Sequence, residues 1–218
     1  MILDLDYLRE QLQKAELVPF PWTGEDKNLG AFRSKEELVE WYCQPPGVEN
    51  QPYRDRAFYT RELAMLSRLM KPRRNVEFGT SLRIGTCILS WLNPTAQLTT
   101  VDVNTETFLP GDVRVPMGLL AKHNKIPCEY VTSNSWEYNA TGVDLCFIDA
   151  NHTYYPVAKD SERAWMNRSR DRIWAIAWHD YNDRHPGVVA AVNDFCERHE
   201  FKLSKLEDSD TVWLMGDT

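Results

Sequence analysis

The sequence predicts an α/β fold in which a mostly parallel sheet carries helices on both faces. From residue 75 onward, short apolar runs alternate with helix-length segments, and this alternation is typical of sheets built from strand–helix–strand units. The chain has 218 residues, a length that suits one large domain or one domain with a small cap.

Residues 1–74 predict helices and loops rather than strands. Ser34 and Glu37 have the spacing of a capping box, which predicts that a helix begins there. A proline-rich loop separates it from a second helix over 54–70. The region is rich in aromatic residues and arginines, which can bind a planar or anionic substrate or simply pack together. We assign 1–74 to an N-terminal helical cap and substrate region, and 75–218 to the core.

The core contains six predicted strands and four predicted helices. Each strand is a short run of apolar and β-branched residues bounded by polar or glycine-containing segments. The strands are expected at 76–78, 98–103, 128–132, 143–148, 173–178 and 211–215, and the helices at 85–92, 118–123, 156–165 and 187–199. Ligands bind at the carboxyl ends of the strands in such sheets, so functional residues are expected directly after them.

Composition excludes several classes of protein. The net charge of −7 argues against nucleic acid as the main partner, because no basic field would hold phosphates. No apolar run approaches the roughly 20 residues that cross a bilayer, and the N-terminus does not read as a signal peptide. Five dispersed cysteines without a CxxC pair predict a reducing, cytoplasmic location. A small-molecule partner is expected, and the sequence allows a homo-oligomer.

A glycine-containing turn follows the first predicted strand, and an acid ends the second. Gly79 opens the turn, Glu77 precedes it, and Asp102 lies 23 residues after Gly79. An acid about 20 residues after a glycine turn commonly accepts hydrogen bonds from ribose hydroxyls. The pair indicates a nucleoside-like cofactor, although an ordinary strand–turn–helix with a surface acid has the same pattern.

Four segments together resemble the class I S-adenosylmethionine-dependent methyltransferases. The turn reads EFGTSLRIGT from Glu77, against the family variant E-x-G-T-S-x-G-x-S-T, and VTSNS from Val131 is similar to the third-strand motif. The segment from Val143, VDLCFIDANHTY, resembles the branch with D-x-x-F-I-D-x-x-H-x-Y, and WHDY from Trp178 resembles the end of the fifth strand. The resemblance spans about 75–215.

This resemblance implies a Rossmann-like, doubly wound, seven-stranded sheet and S-adenosylmethionine as cofactor. It also implies O-methylation of a small hydroxylated acceptor such as a sugar or a natural product. The implied cofactor-binding residues are Glu77, Gly79, Thr80, Ser81, Asp102, Asn134, Ser135 and Asp149.

Arg83 departs from the family pattern, because it stands where the family has a glycine. That glycine lets cofactor, strand and helix approach closely. Arg83 can point outward, reach the cofactor's carboxylate, or block the site. The alternative interpretation is therefore a non-catalytic or differently catalytic protein on the same fold.

Two carboxylates and two imidazoles follow the fourth and fifth strands. Asp149, His179 and Asp180 can supply three ligands to a divalent cation, for which the resemblance implies Mg²⁺. One imidazole with two carboxylates also suits Mn²⁺, Fe²⁺ or Zn²⁺. His152 is the predicted general base, because an imidazole titrates near neutral pH, and Asp149 is also predicted to be catalytic.

Each of these residues also has a purely structural interpretation. Asp149 can cap the next helix, His152 can be a packing residue with a polar tip, and His179 can be a core histidine bonded to the backbone. The remaining histidines, His123, His185 and His199, are expected at the surface.

Overall fold

The computed structural model describes residues 59–217, apart from 82–84, 87–88, 91–92, 110–112, 119–120, 122–125 and 206–208. The predicted capping box at Ser34 and most of the predicted N-terminal cap lie outside this part of the chain, as does Arg83. The boundary between a cap at 1–74 and a core at 75–218 stays a prediction.

The main sheet has seven strands, which confirms the predicted Rossmann-like, mostly parallel architecture. Its spatial order is β5-β2-β1-β6-β7-β9-β8, and every pairing from β5 to β7 is parallel, whereas β9 runs antiparallel to both β7 and β8. The strands are β1 (Arg74–Phe78), β2 (Gln97–Asp102), β5 (Glu129–Thr132), β6 (Leu145–Ile148), β7 (Trp174–Trp178), β8 (Ser204–Lys205) and β9 (Val212–Gly216).

Helices cover both faces of this sheet. Helix α1 (Tyr59–Met70) packs Leu63 and Leu66 onto one face, against side chains such as Phe147 and Trp213. The other face is covered by α2 (Tyr154–Asn167) and α3 (Pro186–Arg198), which together bury a larger apolar cluster around Trp178. Burial on both faces explains why β6 and β7 read as continuous apolar runs.

The sheet order reverses between β1 and β6. The chain proceeds from β1 outward through β2 to β5, and then returns to place β6 on the other side of β1. Ligands of open α/β sheets bind outside the carboxyl ends of the strands at such a switch point. Backbone hydrogen bonds continue beyond the strands here, from Asp149 N to Phe78 O at 2.8 Å and from His179 N to Ile148 O at 3.0 Å. The ends of β1, β6 and β7 are therefore held in register.

Two elements were not predicted from the sequence. Strands β3 (Glu106–Leu109) and β4 (Val113–Pro116) form a separate antiparallel hairpin after β2, and β8 adds a two-residue edge. Among the described helices, none combines the length and apolar character needed to cross a bilayer.

Candidate functional site

A cavity of about 550 Å³ lies outside the carboxyl ends of β1, β2, β5 and β6. Its size falls in the range of small-molecule and cofactor sites. Of the eight predicted cofactor residues, seven line it: Gly79, Thr80, Ser81, Asp102, Asn134, Ser135 and Asp149.

Gly79 permits the close approach of two strand ends. Its φ is +90°, and a β-carbon added there would lie 2.0 Å from the carbonyl oxygen of Asp149. Any side chain would therefore force β1 and β6 apart, in a backbone conformation that side chains also disfavour. The missing side chain at Gly79 therefore lets the ends of β1 and β6 meet at the switch point.

Asp102 is fixed at the end of β2 by backbone amides. Its carboxylate accepts hydrogen bonds from Thr80 N at 2.8 Å and from Asn104 N at 3.0 Å. A buried contact of 2.8 Å between the hydroxyls of Thr80 and Thr100 supports the same turn. A carboxylate has more acceptor sites than these two bonds use, so Asp102 retains capacity for a ligand. We call Gly79, Thr80 and Asp102 the cofactor end of the cavity.

Glu77 does not line the cavity that the described residues enclose. Its side chain is buried and accepts hydrogen bonds from the hydroxyls of Thr86 and, at 3.2 Å, Thr100. A β-carbon on Gly85 would lie 2.3 Å from a Glu77 carboxylate oxygen. Glu77 thus joins β1, β2 and the residues after the turn, and the missing side chain at Gly85 makes room for it.

The outer wall of the cavity follows β5. Asn134 precedes a short 3-10 helix (Ser135–Glu137), and the Ser135 hydroxyl donates to Oδ1 of Asp160 on α2. Burial raises the pKa of Asp160 to about 6, although the Ser135 hydrogen bond opposes this shift. Asp160 was missed in the sequence because acids on an amphipathic helix are usually solvated. Its spacing from Val157 and Ala164, three before and four after, does place it on the buried stripe.

A group of ionisable side chains adjoins the other side of the cavity. His179 Nδ1 lies 3.3 Å from Asp149 Oδ1 and 3.2 Å from Asp180 Oδ2. Burial lowers the pKa of His179, but the two carboxylates outweigh it and raise the pKa to about 10. Burial raises the pKa of Asp180, but hydrogen bonds from His152 and His179 outweigh burial and hold this pKa well below its ordinary value.

His152 and His185 complete this group. His152 Nε2 lies 2.9 Å from Asp180 Oδ2, and that hydrogen bond is the main reason why the pKa of His152 is raised. His185 Nε2 lies 3.6 Å from Asp180 Oδ1, and its ring centroid is 4.3 Å from that of His152. We call Asp149, His152, His179, Asp180 and His185 the reactive cluster.

Of the histidines expected at the surface, His123 lies outside the described residues and His199 is only partly exposed. His185 is not a fully exposed residue either. It is half-buried beside His152, because the turn after β7 folds back before α3 begins. Asp180, at the start of that turn, has a left-handed backbone with φ of 58°, which Asp tolerates better than most residues. A further constraint is Gly187 on α3, where a β-carbon would lie 2.6 Å from the carbonyl oxygen of His152.

The donor atoms suit a cation. Among the residues that the structure describes, two sets of three have all their ligand atoms within 4.8 Å of one another: Asp149, His179 and Asp180, and His152, Asp180 and His185. Asp180 belongs to both sets. Imidazole nitrogens mixed with carboxylates suit Mn²⁺, Fe²⁺ or Zn²⁺ better than Mg²⁺.

No protein-family model matches the sequence, and no curated protein matches it significantly. Solved structures do resemble it. The TDP-rhamnose 3'-O-methyltransferase CalS11 of calicheamicin biosynthesis is 14% identical with a TM-score of 0.51, covering 96% of this chain and 91% of its own.

Two further solved structures show the same likeness. An O-methyltransferase from Bacillus cereus, solved with S-adenosylhomocysteine, is 14% identical with a TM-score of 0.52, covering 73% of this chain and 80% of its own. A methyltransferase from Geobacter sulfurreducens is 14% identical with a TM-score of 0.51, covering 72% and 77%. From the sheet order, the switch-point cavity and these likenesses, we conclude that the chain has the Rossmann-like fold of class I methyltransferases.

Proposed function

We propose that the protein transfers the methyl group of S-adenosylmethionine to a hydroxyl oxygen of a small acceptor, such as a sugar or a natural product. One observation carries this proposal: Asp149 lines the cavity that begins at Gly79 and Asp102, and it also belongs to the reactive cluster. A nucleoside cofactor lying along that cavity would have one end beside acid–base groups.

The residues fit such a cofactor. Gly79 lines the cavity without a side chain, and Asp102 can accept from ribose hydroxyls. When bound, S-adenosylmethionine supplies an electrophilic methyl carbon on a positively charged sulfur. A carboxylate close to that sulfur, as proposed for Asp149, would stabilise its charge.

His152 is the proposed base that removes the acceptor's proton. Asp180 Oδ2 holds Nε2, so a neutral ring donates from Nε2 and presents Nδ1 as the basic nitrogen. The raised pKa makes this imidazole a stronger base than a free one. In the proposed reaction Nδ1 of His152 would take the proton of the acceptor oxygen, while the bound cofactor would supply the methyl group and leave as a neutral thioether.

We extend the proposal to a divalent cation held by Asp149, His179 and Asp180. A cation there would lower the pKa of a bound acceptor hydroxyl. Because His179 Nδ1 now contacts both carboxylates, a cation and the imidazolium proton compete for the same atoms. Activity after chelation, and after adding back Mg²⁺, Mn²⁺ or Zn²⁺, tests this extension.

The compartment and the partners remain proposals of the same kind. Among the described cysteines, Cys146 and Cys196 are free thiols, which supports the cytoplasm. A small-molecule acceptor, no nucleic-acid or membrane partner, and a homo-oligomer complete the proposal.

Calorimetric titration with S-adenosylmethionine and S-adenosylhomocysteine tests the function directly. We expect micromolar dissociation constants, and at least about 10-fold weaker binding by Asp102→Ala, since a ribose contact is lost. Glu137→Gln is the control, because this exposed carboxylate lies outside the cavity. If the parent binds neither ligand and Arg83→Gly binds both, the non-catalytic interpretation is correct.

Activity then tests the base. His152→Ala is expected to lower methyl transfer by about 10²–10⁴-fold, the usual contribution of general-base catalysis. Its affinity for S-adenosylhomocysteine should stay unchanged, because His152 does not line the cofactor cavity. Undiminished transfer by this variant would remove His152 from the mechanism.

A further inference from the structure

Asp160 is a buried carboxyl group that the proposed methyl transfer does not use. It lies on α2 with 1% of its surface exposed, yet it forms part of the cavity wall together with Pro156, one turn earlier. An acid is rarely this buried unless it is paired. Its environment therefore calls for a partner.

The described residues provide only part of that partner. Within this part of the chain, the Ser135 hydroxyl is the one hydrogen-bond donor to Asp160, and it contacts Oδ1 alone. A carboxylate can accept about four hydrogen bonds. The raised pKa, caused by burial, reflects this incomplete compensation. The Asp160 carboxylate can therefore accept a further hydrogen bond from a donor inside the cavity.

The position of Asp160 indicates which donor this is. A nucleoside held by its ribose at Asp102 can direct its base toward β6 or toward β5. The β6 side holds Asp149 and the reactive cluster, so the sulfonium end belongs there. The base must then lie on the β5 side, where Ser133 N bonds to Asp102 O at 2.9 Å and Ser135 contacts Asp160.

We propose that Asp160 accepts a hydrogen bond from the exocyclic 6-amino group of the purine and so selects adenosyl over 6-oxopurine cofactors. This inference rests on the proposed function. A 6-oxo group would bring a second acceptor against the carboxylate oxygen that Ser135 does not contact, and position 6 would then offer no donor to it. Sites built around such a hydrogen bond reject the mismatched analogue strongly.

The test compares S-adenosylhomocysteine with S-inosylhomocysteine, in which a 6-oxo group replaces the 6-amino group. Calorimetry on the full chain should show at least about 100-fold preference for the adenosyl compound. Asp160→Asn keeps the shape but provides both an amide donor and a carbonyl acceptor. This variant should bind the inosyl compound more tightly than the parent does, and its preference should fall below about 10-fold.

Each outcome decides between the proposals. A gain in inosyl binding cannot arise from misfolding, and Glu137→Gln should keep the parent's preference. If the parent binds the adenosyl compound and Asp160→Asn keeps the full preference, or loses affinity for both compounds, the role of Asp160 is overturned and the methyltransferase proposal stands. If the parent binds neither compound, both proposals fail.

Discussion

The two ends of the site are built by different means. At the cofactor end, Gly79, Thr80 and Asp102 are held by backbone amides and by the close approach of two strand ends. In the reactive cluster, imidazoles and carboxylates hold one another: Asp149 and Asp180 raise the pKa of His179, and His152 and His179 lower that of Asp180. The first end therefore depends on backbone shape and the second on charge, which makes them separable by mutation.

The largest effect is expected from Gly79→Ala. The added β-carbon would meet the Asp149 carbonyl at 2.0 Å in a left-handed backbone, so we expect a loss of at least about 3 kcal/mol in the free energy of unfolding. Gly142→Ala is the matched control, because Gly142 also has a positive φ but no neighbour within 4 Å. That variant should lose only about 1–2 kcal/mol. If denaturant unfolding shows that the two variants lose the same free energy of unfolding, the close approach of Gly79 to Asp149 is not the cause of the loss.

Asp180→Asn should break the reactive cluster while leaving the cofactor end intact. Asn tolerates the left-handed backbone at this position, but it removes the charge that holds His152 and His179. We expect about 2–3 kcal/mol of destabilisation at neutral pH. Histidine titration by NMR should show lower pKa values for both rings, and unchanged values would contradict the cluster.

The same variant has a defined pH dependence. The raised pKa of His179 means that its imidazolium stabilises the fold fully below pH 6.5, and this contribution is lost as pH rises toward 10. The depressed pKa of Asp180 acts in the other direction, since its contribution is lost as pH falls below about 4. The free energy of unfolding of Asp180→Asn should therefore change less with pH than that of the parent, at both the acidic and the alkaline end of the range.

Asp160→Asn should stabilise the protein. The folded-state pKa of Asp160 is raised from 3.8 to about 6, so the folded state holds a proton that the unfolded state releases between these values. Stability therefore falls as pH rises through this interval. Roughly two pKa units correspond to about 3 kcal/mol. The free energy of unfolding of the variant should equal that of the parent below about pH 4. Above pH 6 it should be higher than the parent's by up to this amount, as measured by denaturant unfolding.

The smallest effect is expected from His185→Asn. Its 3.6 Å contact with Asp180 is partly exposed, so the metal-free variant should change the free energy of unfolding by less than about 1 kcal/mol. Added Zn²⁺ provides a second test. If Zn²⁺ raises the free energy of unfolding of the parent but not that of His185→Asn, His185 binds the ion.

Most of the sheet could be predicted because buried parallel strands are short, continuous apolar runs. The predicted strands over 98–103 and 173–178 correspond to β2 and β7 within one residue at each end. The β3–β4 hairpin and the two-residue β8 could not be predicted in this way, because neither is a buried parallel strand with such a run.

The residues of the site also differ in how well the sequence predicts them. Residues directly after a strand, such as Asp149 and His179, could be predicted because parallel strands bring their ends together. His185 could not, since it follows an irregular turn whose path depends on tertiary packing. Asp160 lies on a helix stripe that periodicity can reveal, but a charged residue there is usually read as exposed.

The contact at Gly187 links a rigid helix to the proposed base. Because α3 is anchored in the core by Val188, Val192 and Phe195, its first turn fixes how far the backbone at His152 stands from the sheet. The distance between His152 and the carboxylates is thus set by the packing of α3 in the core rather than by surface loops. Under the proposed function, segments that contact the acceptor could therefore change without altering the proton-transfer distance.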